Sequence, residues 1–234
     1  MWEMGVAKQS ALIVGASRGL GLGLVREYLD RGWAVTATRR PSSDAGELEA
    51  LAHGALRVLT ADLNHKDQVE ALAGAAGDDM FDLLFVTAGI WGPQHQSVGE
   101  AGDDEFAALM LTNALAPVRA AERLHGNVRE GTGVVALMTS GLGSIAENAS
   151  GGSDLYRASK AALNQLSRCF AIRHAKRGIT TLSLDPGWVR TDMGGPNAPL
   201  DVETSARGLA DVVEANRGRG GHRYFNYAGR EEAW

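Results

Sequence analysis

Tyr156 and Lys160 stand four residues apart in Tyr156-Arg157-Ala158-Ser159-Lys160, at the head of a stretch whose apolar spacing predicts a helix. Residues i and i+4 of a helix share one face, so a phenol and an ammonium can point into one site. A free phenol titrates near ~10, and a fixed positive charge beside it favours phenolate and lowers that value. Lys160 is expected to supply the charge. Upstream, Thr139-Ser140-Gly141-Leu142-Gly143-Ser144 follows an apolar run that reads as a strand and offers a hydroxyl to a substrate oxygen. Hydroxyl, phenol and ammonium together suggest proton transfer at a carbonyl. The pair alone also fits a packing tyrosine at a helix start, so the surrounding elements have to decide.

Those elements alternate. Ala11-Leu12-Ile13-Val14 reads as a buried strand, then Gly15-Ala16-Ser17-Arg18-Gly19-Leu20-Gly21, then an amphipathic helix with Leu22, Val25, Tyr28 and Leu29 on one side. Glycines let backbone approach a pyrophosphate, and the free N–H groups of a helix start favour a phosphate there. Strand, glycine-rich turn and helix in this order point to dinucleotide binding. Further strands are expected at Trp33–Thr38, Leu56–Ala61, Phe81–Val86, Gly133–Thr139, Thr180–Leu184 and near Tyr224-Phe225. Helices are expected around Val69 and Leu72, from Asp104 past Pro117 towards Leu124, from Tyr156 to Ile172, and over Val202–Asn216. The fold class is α/β: residues 1–234 form one doubly wound Rossmann-type domain with a mainly parallel sheet and the ligand at the carboxyl ends of its strands.

The spacing Gly15-x-x-x-Gly19-x-Gly21, with Tyr156 and Lys160, Ser140, Ala88-Gly89 and Pro186-Gly187…Thr191 in this order, resembles the short-chain dehydrogenase/reductase family along almost the whole chain. The longer segment between Ser140 and Tyr156 is similar to that of a subgroup of carbonyl reductases and developmental signalling proteins of the C-factor type. The resemblance implies hydride transfer between a nicotinamide cofactor and an aldehyde, ketone or alcohol. Tyr156 is then the general acid/base, Ser140 orients the carbonyl oxygen, and Lys160 tunes the phenol and grips the nicotinamide ribose. Asn113, an amide within an apolar helix that needs a partner if buried and otherwise reads as a surface amide, would help hold a relay water, and Ser144 competes with Ser140, which is preferred for its place at a strand end. For the cofactor, the resemblance marks Gly15, Ser17, Arg18, Gly19, Leu20 and Gly21 at the pyrophosphate, and Asp62 and Leu63 at the adenine. Ala88 and Gly89 lie beside the cofactor, with Tyr156 and Lys160, while Pro186, Gly187, Val189 and Thr191 meet the nicotinamide carboxamide. Val86 and Thr87 stand where the family has two asparagines, which puts the support those amides give in question. Arg39-Arg40 ends the second strand where an acid would bind the ribose 2′-hydroxyl. Two arginines fit a 2′-phosphate instead, so NADP(H) is expected over NAD(H), with Arg39 the main contact and Arg18 helping. A C-factor-like signalling protein or an NADPH-binding redox sensor on the same fold is the alternative.

Composition bounds the rest. The chain has 234 residues, 44% hydrophobic and 22% charged, with a net charge of −5 and no long charge run. That leaves no basic footprint for nucleic acid or anionic membrane; the Arg217, Arg219, His222 and Arg223 group reads as a solvated turn. No apolar run approaches the ~18 residues of a membrane span, and a cytoplasmic location is expected. The single Cys169 reads as a buried inert thiol, and the six histidines show no common zinc spacing, so no metal is expected. The segments 90–103, in which His95 reads as an exposed loop residue, and 192–200 read as loops lining the substrate pocket. There Trp91, Trp188 and Met193 suggest an apolar or aromatic small-molecule carbonyl compound. The apolar face of the Tyr156 helix, carried by Leu163, Leu166, Phe170 and Ile172, and the resemblance together imply a homodimer or homotetramer.

Overall fold

The computed structural model describes residues 8–52 and 54–234. Seven strands form one parallel sheet in the order β3-β2-β1-β4-β5-β6-β7: β1 Ser10–Val14, β2 Ala34–Arg39, β3 Leu56–Thr60, β4 Leu83–Val86, β5 Val134–Met138, β6 Thr180–Asp185 and β7 Gly221–Asn226. The central strands are apolar on both faces, as burial between two helix layers requires. In β1, Ala11 and Ile13 pack on one side with Leu24, Val25, Tyr28, Leu209 and Val213. Leu12 and Val14 pack on the other with Val69, Leu72, Leu124, Leu163 and Phe170. The first layer holds α1 (Gly19–Asp30) and α7 (Val202–Asn216), with the short α2 (Gly46–Ala50) beside them. The second holds α3 (Lys66–Ala76), α5 (Ala116–Leu124) and α6 (Asp154–Arg173). The strand order reverses at β1, which pairs with both β2 and β4. A crevice opens outside the carboxyl ends of the strands at such a point.

Several expectations are corrected. The helix from Asp104 is three pieces: α4 (Asp103–Met110), a π turn over Leu111–Leu115, and α5. Ile172 is not on the buried face of α6 and is 69% exposed. Cys169 is exposed rather than buried. Arg217 is not in a solvated turn: it pairs with Asp82 at 2.8 Å and lies over the Trp33 ring, while His222 stays largely buried and its pKa is pushed down to about 3 by burial and then by Arg168. His125 and His174, far apart in sequence, meet at Glu122, whose carboxylate is engaged by Arg173 and His174. No helix among the described residues is long and apolar enough to cross a membrane.

The first turn is closely packed backbone. Gly15 takes φ +90°, and a Cβ on Gly21 would stand 2.3 Å from Gly15 O and 2.9 Å from Ala16 Cα. Gly21→Ala is therefore expected to cost about 1–3 kcal/mol in urea unfolding, as overpacking against backbone does. Gly74→Ala, within α3 with open space around its Cβ, should be neutral or stabilise by about 0.4–1 kcal/mol. Equal effects of the two would refute the close-packed turn.

Candidate active site

Ser140 follows the end of β5 and caps the next turn, and Tyr156 sits in the first turns of α6. Both line a cleft of about 790 Å³ with Leu20, Trp91, Gln94, Leu142, Asp185 and the segment 186–195. Ser140 rather than Ser144 meets the phenol. A Ser140 hydrogen bond to Tyr156 contributes to the phenol's environment, whereas Ser144 is buried with its hydroxyl accepting from Glu147 N at 3.0 Å. Trp91 stacks on Tyr156, ring centroids 4.7 Å apart, forming an aromatic wall.

Lys160 is 3% exposed. Its Nζ donates to Met138 O at 3.0 Å and lies 5.6 Å from the centre of the Tyr156 ring. Burial pulls its pKa down to about 8, against the opposing pull of Asp185. The expected lowering of the phenol is not seen. Burial and then Asp185 push Tyr156 well above the ordinary tyrosine value, and only the Ser140 hydrogen bond works the other way. Tyr156 is thus a protonated phenol at neutral pH.

Asn113 is no surface amide: it is fully buried in the π turn. Its Oδ1 accepts from Ile90 N and its Nδ2 donates to Ile90 O, both at 2.8 Å, and Nδ2 also donates to Ser159 Oγ at 3.0 Å. The amide therefore clamps the strand end after β4 to α6, and its polar atoms are spent on that clamp. Thr87 takes over support of the glycine turn. Its hydroxyl lies 2.9 Å from Val14 O and from Gly15 O and donates to them.

At the other end of the crevice, Gly15, Ser17, Gly19, Leu20 and Gly21 form the turn into α1. This helix start has no capping side chain and no acidic residue in its first turn, so its N–H groups remain available to an anion. Arg18 pairs with Asp192 across the crevice at 2.8 Å, joining the glycine turn to the 192–200 segment. Arg39 is held by Glu49 at 3.0 Å, one residue from Arg40. Asp62 is turned onto its own loop, where Oδ1 accepts from Asn64 N at 2.9 Å, and Leu63 is buried beneath it. Ala88 and Gly89 lie between the turn and Lys160: a Cβ on Gly15 would meet Ala88 N at 3.1 Å, and one on Gly89 would meet Lys160 Nζ at 3.3 Å. Pro186, Gly187, Val189 and Thr191 line the cleft, and Thr191 reaches back to Gly19, whose Cβ position is 3.5 Å from Thr191 Cγ2.

Two polar residues of the site are not legible as local motifs. Gln96, left-handed at φ 56°, accepts from Tyr156 N at 2.9 Å and donates to Trp91 O and Pro93 O. It satisfies a backbone donor at the start of α6 and fixes the loop that carries Trp91. Neighbouring His95, an exposed loop residue as expected, faces Glu105 at 3.5 Å. Asp185, at the end of β6, accepts from Gly187 N at 3.2 Å. Its carboxyl is pushed up by burial, against the N–H groups of Gly141 and Gly187 and against Lys160.

The geometry defines an oxidoreductase of nucleotide-binding α/β type, and the short chain dehydrogenase family model matches residues 9–199. The chain belongs to that family. It is 38% identical to C-signal of Myxococcus xanthus over 154 residues, 65% of this chain and 92% of that one. A short-chain dehydrogenase/reductase of Burkholderia multivorans, solved with bound NADP, is 44% identical with a TM-score of 0.93, covering 97% of this chain and 100% of that one. A carbonyl reductase of Pseudomonas aeruginosa in complex with NADP is 44% identical with a TM-score of 0.89, at the same coverage.

Asn113→Leu keeps the side-chain volume close but strips both partners from the Ile90 peptide. Ile90 is itself 36% exposed, so at a net worth of about 0.5–1.5 kcal/mol per hydrogen bond urea unfolding should show a loss of about 1–2 kcal/mol. Wild-type stability in that variant would mean the clamp is dispensable.

Proposed function

We propose that the chain is an NADP-dependent reductase of aldehydes or ketones, working in reverse on the alcohols, with Tyr156 as general acid/base. The observation that carries this reading is that Ser140 and Tyr156 line one cleft with Leu20 of the uncapped α1 start, while buried Lys160 stands close to the Tyr156 ring. The residues present fit a phosphorylated dinucleotide. The free N–H groups of α1 suit the pyrophosphate, and Arg39 and Arg40, with Arg18, suit a 2′-phosphate. Asp62 and Leu63 would hold the adenine, Ala88, Gly89, Tyr156 and Lys160 the central part, and Pro186, Gly187, Val189 and Thr191 the carboxamide. Bound there, the cofactor supplies or accepts the hydride.

The chain's own residues handle the proton and the geometry. Ser140 Oγ orients the carbonyl oxygen beside Tyr156. Tyr156, protonated at neutral pH, gives its proton to the oxygen as negative charge develops there. Lys160 stabilises the phenolate so formed, since a buried ammonium nearby is worth more than one in water. Because the Asn113 amide is spent on Ile90, a relay water behind Lys160 would be held by backbone carbonyl oxygen of the π turn rather than by that amide. Trp91, Leu142, Trp188 and Met193 close the cleft around an apolar or aromatic group. A homodimer or homotetramer in a cytoplasmic setting accords with this reading.

NADP preference has an internal competitor. Arg39 must leave Glu49, and Arg18 must leave Asp192, to fork onto a 2′-phosphate. Both ion pairs are at least partly solvated, so each is worth only ~0–1 kcal/mol and yields to a doubly charged group.

A positioned acid contributes roughly 10²–10⁴ in rate. Tyr156→Phe is therefore expected to lower kcat with NADPH and aryl aldehydes or ketones at least about a hundredfold while the Kd for NADPH stays within a few fold. Wild type should bind NADPH more tightly than NADH, and Arg39→Ala should remove most of that difference. Normal turnover by Tyr156→Phe would refute the acid, and equal binding of NADH and NADPH would refute the 2′-phosphate site.

A further inference from the structure

The C-terminal tail folds back beneath the Ser140 turn and brings a carboxyl with it. Glu232 N donates to Tyr224 O at 2.9 Å, and Ala146 N donates to Trp234 O at 3.0 Å. The Trp234 ring packs on Tyr224 and His222 with centroids 5.2 and 4.6 Å away, and Arg168 of α6 lies over it. The tail is thus anchored on both sides of Glu232, whose side chain is 3% exposed.

The two oxygens of Glu232 are in different situations. Oε1 accepts from Asn226 Nδ2 and Arg230 Nη2, both at 3.2 Å. Oε2 is buried and has no hydrogen-bond partner among the described residues. An ionised oxygen left so is unfavourable, whereas a protonated one becomes a donor. The Tyr224 hydroxyl, on the strand that faces Glu232, is the acceptor such a proton would take. Tyr224 gives its own proton to Ser140 O, so towards Glu232 it can only accept. A second acid stands close by: the position of a Cβ on Gly141 lies 3.4 Å from Asp185 Oδ2 and 3.5 Å from Glu232 Oε2. The two carboxyls therefore flank one residue of the Ser140 turn, and like charges so placed do not both ionise readily.

We propose that Glu232 is a positioning residue held as a neutral carboxylic acid, donating to Tyr224 Oη, which donates to Ser140 O, while Asp185 keeps the single negative charge of the pair. No bond other than hydrogen bonds changes: one proton stays on Glu232 Oε2 and one on Tyr224 Oη. The assignment of charge follows from the partners. Asp185 faces backbone N–H groups of Gly141 and Gly187 and the Lys160 ammonium. Glu232 faces Asp185 on β6, Tyr224 and Asn226 on β7, and Arg230 on the tail, with neutral Asn164 of α6 near Tyr224. Arg230 is its one cationic contact among the described residues, is 64% exposed and also reaches Glu147, so solvent screens it. His222, the remaining titratable group on that face, is neutral at physiological pH. Burial and then Asp185 push the Glu232 carboxyl above the ordinary carboxylate range, in keeping with the geometry. The consequence reaches the cleft, because the Ser140 carbonyl at the base of the catalytic turn is fixed by a chain that begins in the tail.

The proposal rests on the reductase reading only for its kinetic arm. Infrared spectra in D₂O at neutral pH are expected to show a protonated-carboxyl band in wild type that is absent from Glu232→Gln. Folding takes up a proton between the ordinary glutamic acid value of ~4.3 and the raised folded value, so wild-type stability falls as pH rises through that window; Glu232→Gln should make this slope shallower, leaving only the share that the raised Asp185 carboxyl contributes. In turnover, Glu232→Leu, without a donor, should lose about tenfold in kcat, and Glu232→Gln, whose amide donates to Tyr224 while its oxygen serves Asn226, should recover most of it. A missing band in wild type, a band that persists in Glu232→Gln, or equal kcat for the Gln and Leu variants would overturn the proposal. Should wild type itself fail to reduce any carbonyl compound while the band and the pH slope behave as stated, the reductase reading falls and the neutral acid stands.

Discussion

A buried ammonium is the constraint around which this site is arranged. Lys160 is almost fully removed from water, and a charge so placed must be met by fixed dipoles or counter-charges or else give up its proton. The protein does some of each. Met138 O takes one N–H, Asp185 supplies a nearby negative charge, and the pKa still falls to about 8. Room for the side chain comes from missing atoms: a Cβ on Gly143 would stand 3.0 Å from Lys160 Cβ, and one on Gly89 3.3 Å from its Nζ. The ends of β4, β5 and β6 and the face of α6 thus converge on one nitrogen, with Tyr156 a turn away.

Holding that convergence is the task of polar groups that touch no substrate. The π turn places Asn113 so that it pairs with both sides of the Ile90 peptide and with Ser159 in the same helix as Tyr156 and Lys160. Such insertions are rare within α-helices and collect at functional sites; here the wider turn seats a side chain that locks two elements together. Gln96 performs the matching task at the start of α6, and Thr87 at the glycine turn. Each satisfies backbone groups where strands and helices end, which is where a buried α/β site is otherwise short of partners.

What was legible in the sequence follows from this division. Tyr156 with Lys160, and Gly15, Gly19 and Gly21, act through spacing within one element or one turn, so their patterns survive without the fold. Asn113 was visible as an amide in an apolar helix, although its partner and the π turn were not, because both depend on how closely the strand end after β4 approaches. Arg39 was visible as a charge at a strand end; its engagement with Glu49 depends on the five-residue α2, too short to carry a periodic signal. Asp185 and Glu232 were not legible as a pair. They meet only because β7 adds in parallel to β6 with Asp185 opposite Asn226 and the tail then doubles back. Cys169 and Ile172 were misjudged for the converse reason: an apolar neighbourhood in sequence does not say which side of a long helix faces out.

The central claim is that hydride passes at this cleft between the nicotinamide and a carbonyl carbon. It is tested most directly by supplying NADPH deuterated at the transferable C4 position with an aryl ketone and analysing the alcohol by mass spectrometry and NMR. The account predicts one deuterium on the carbinol carbon, in one configuration, with a primary isotope effect if the hydride step limits turnover. An alcohol free of deuterium, or no alcohol from any carbonyl compound while NADPH stays bound, would contradict it.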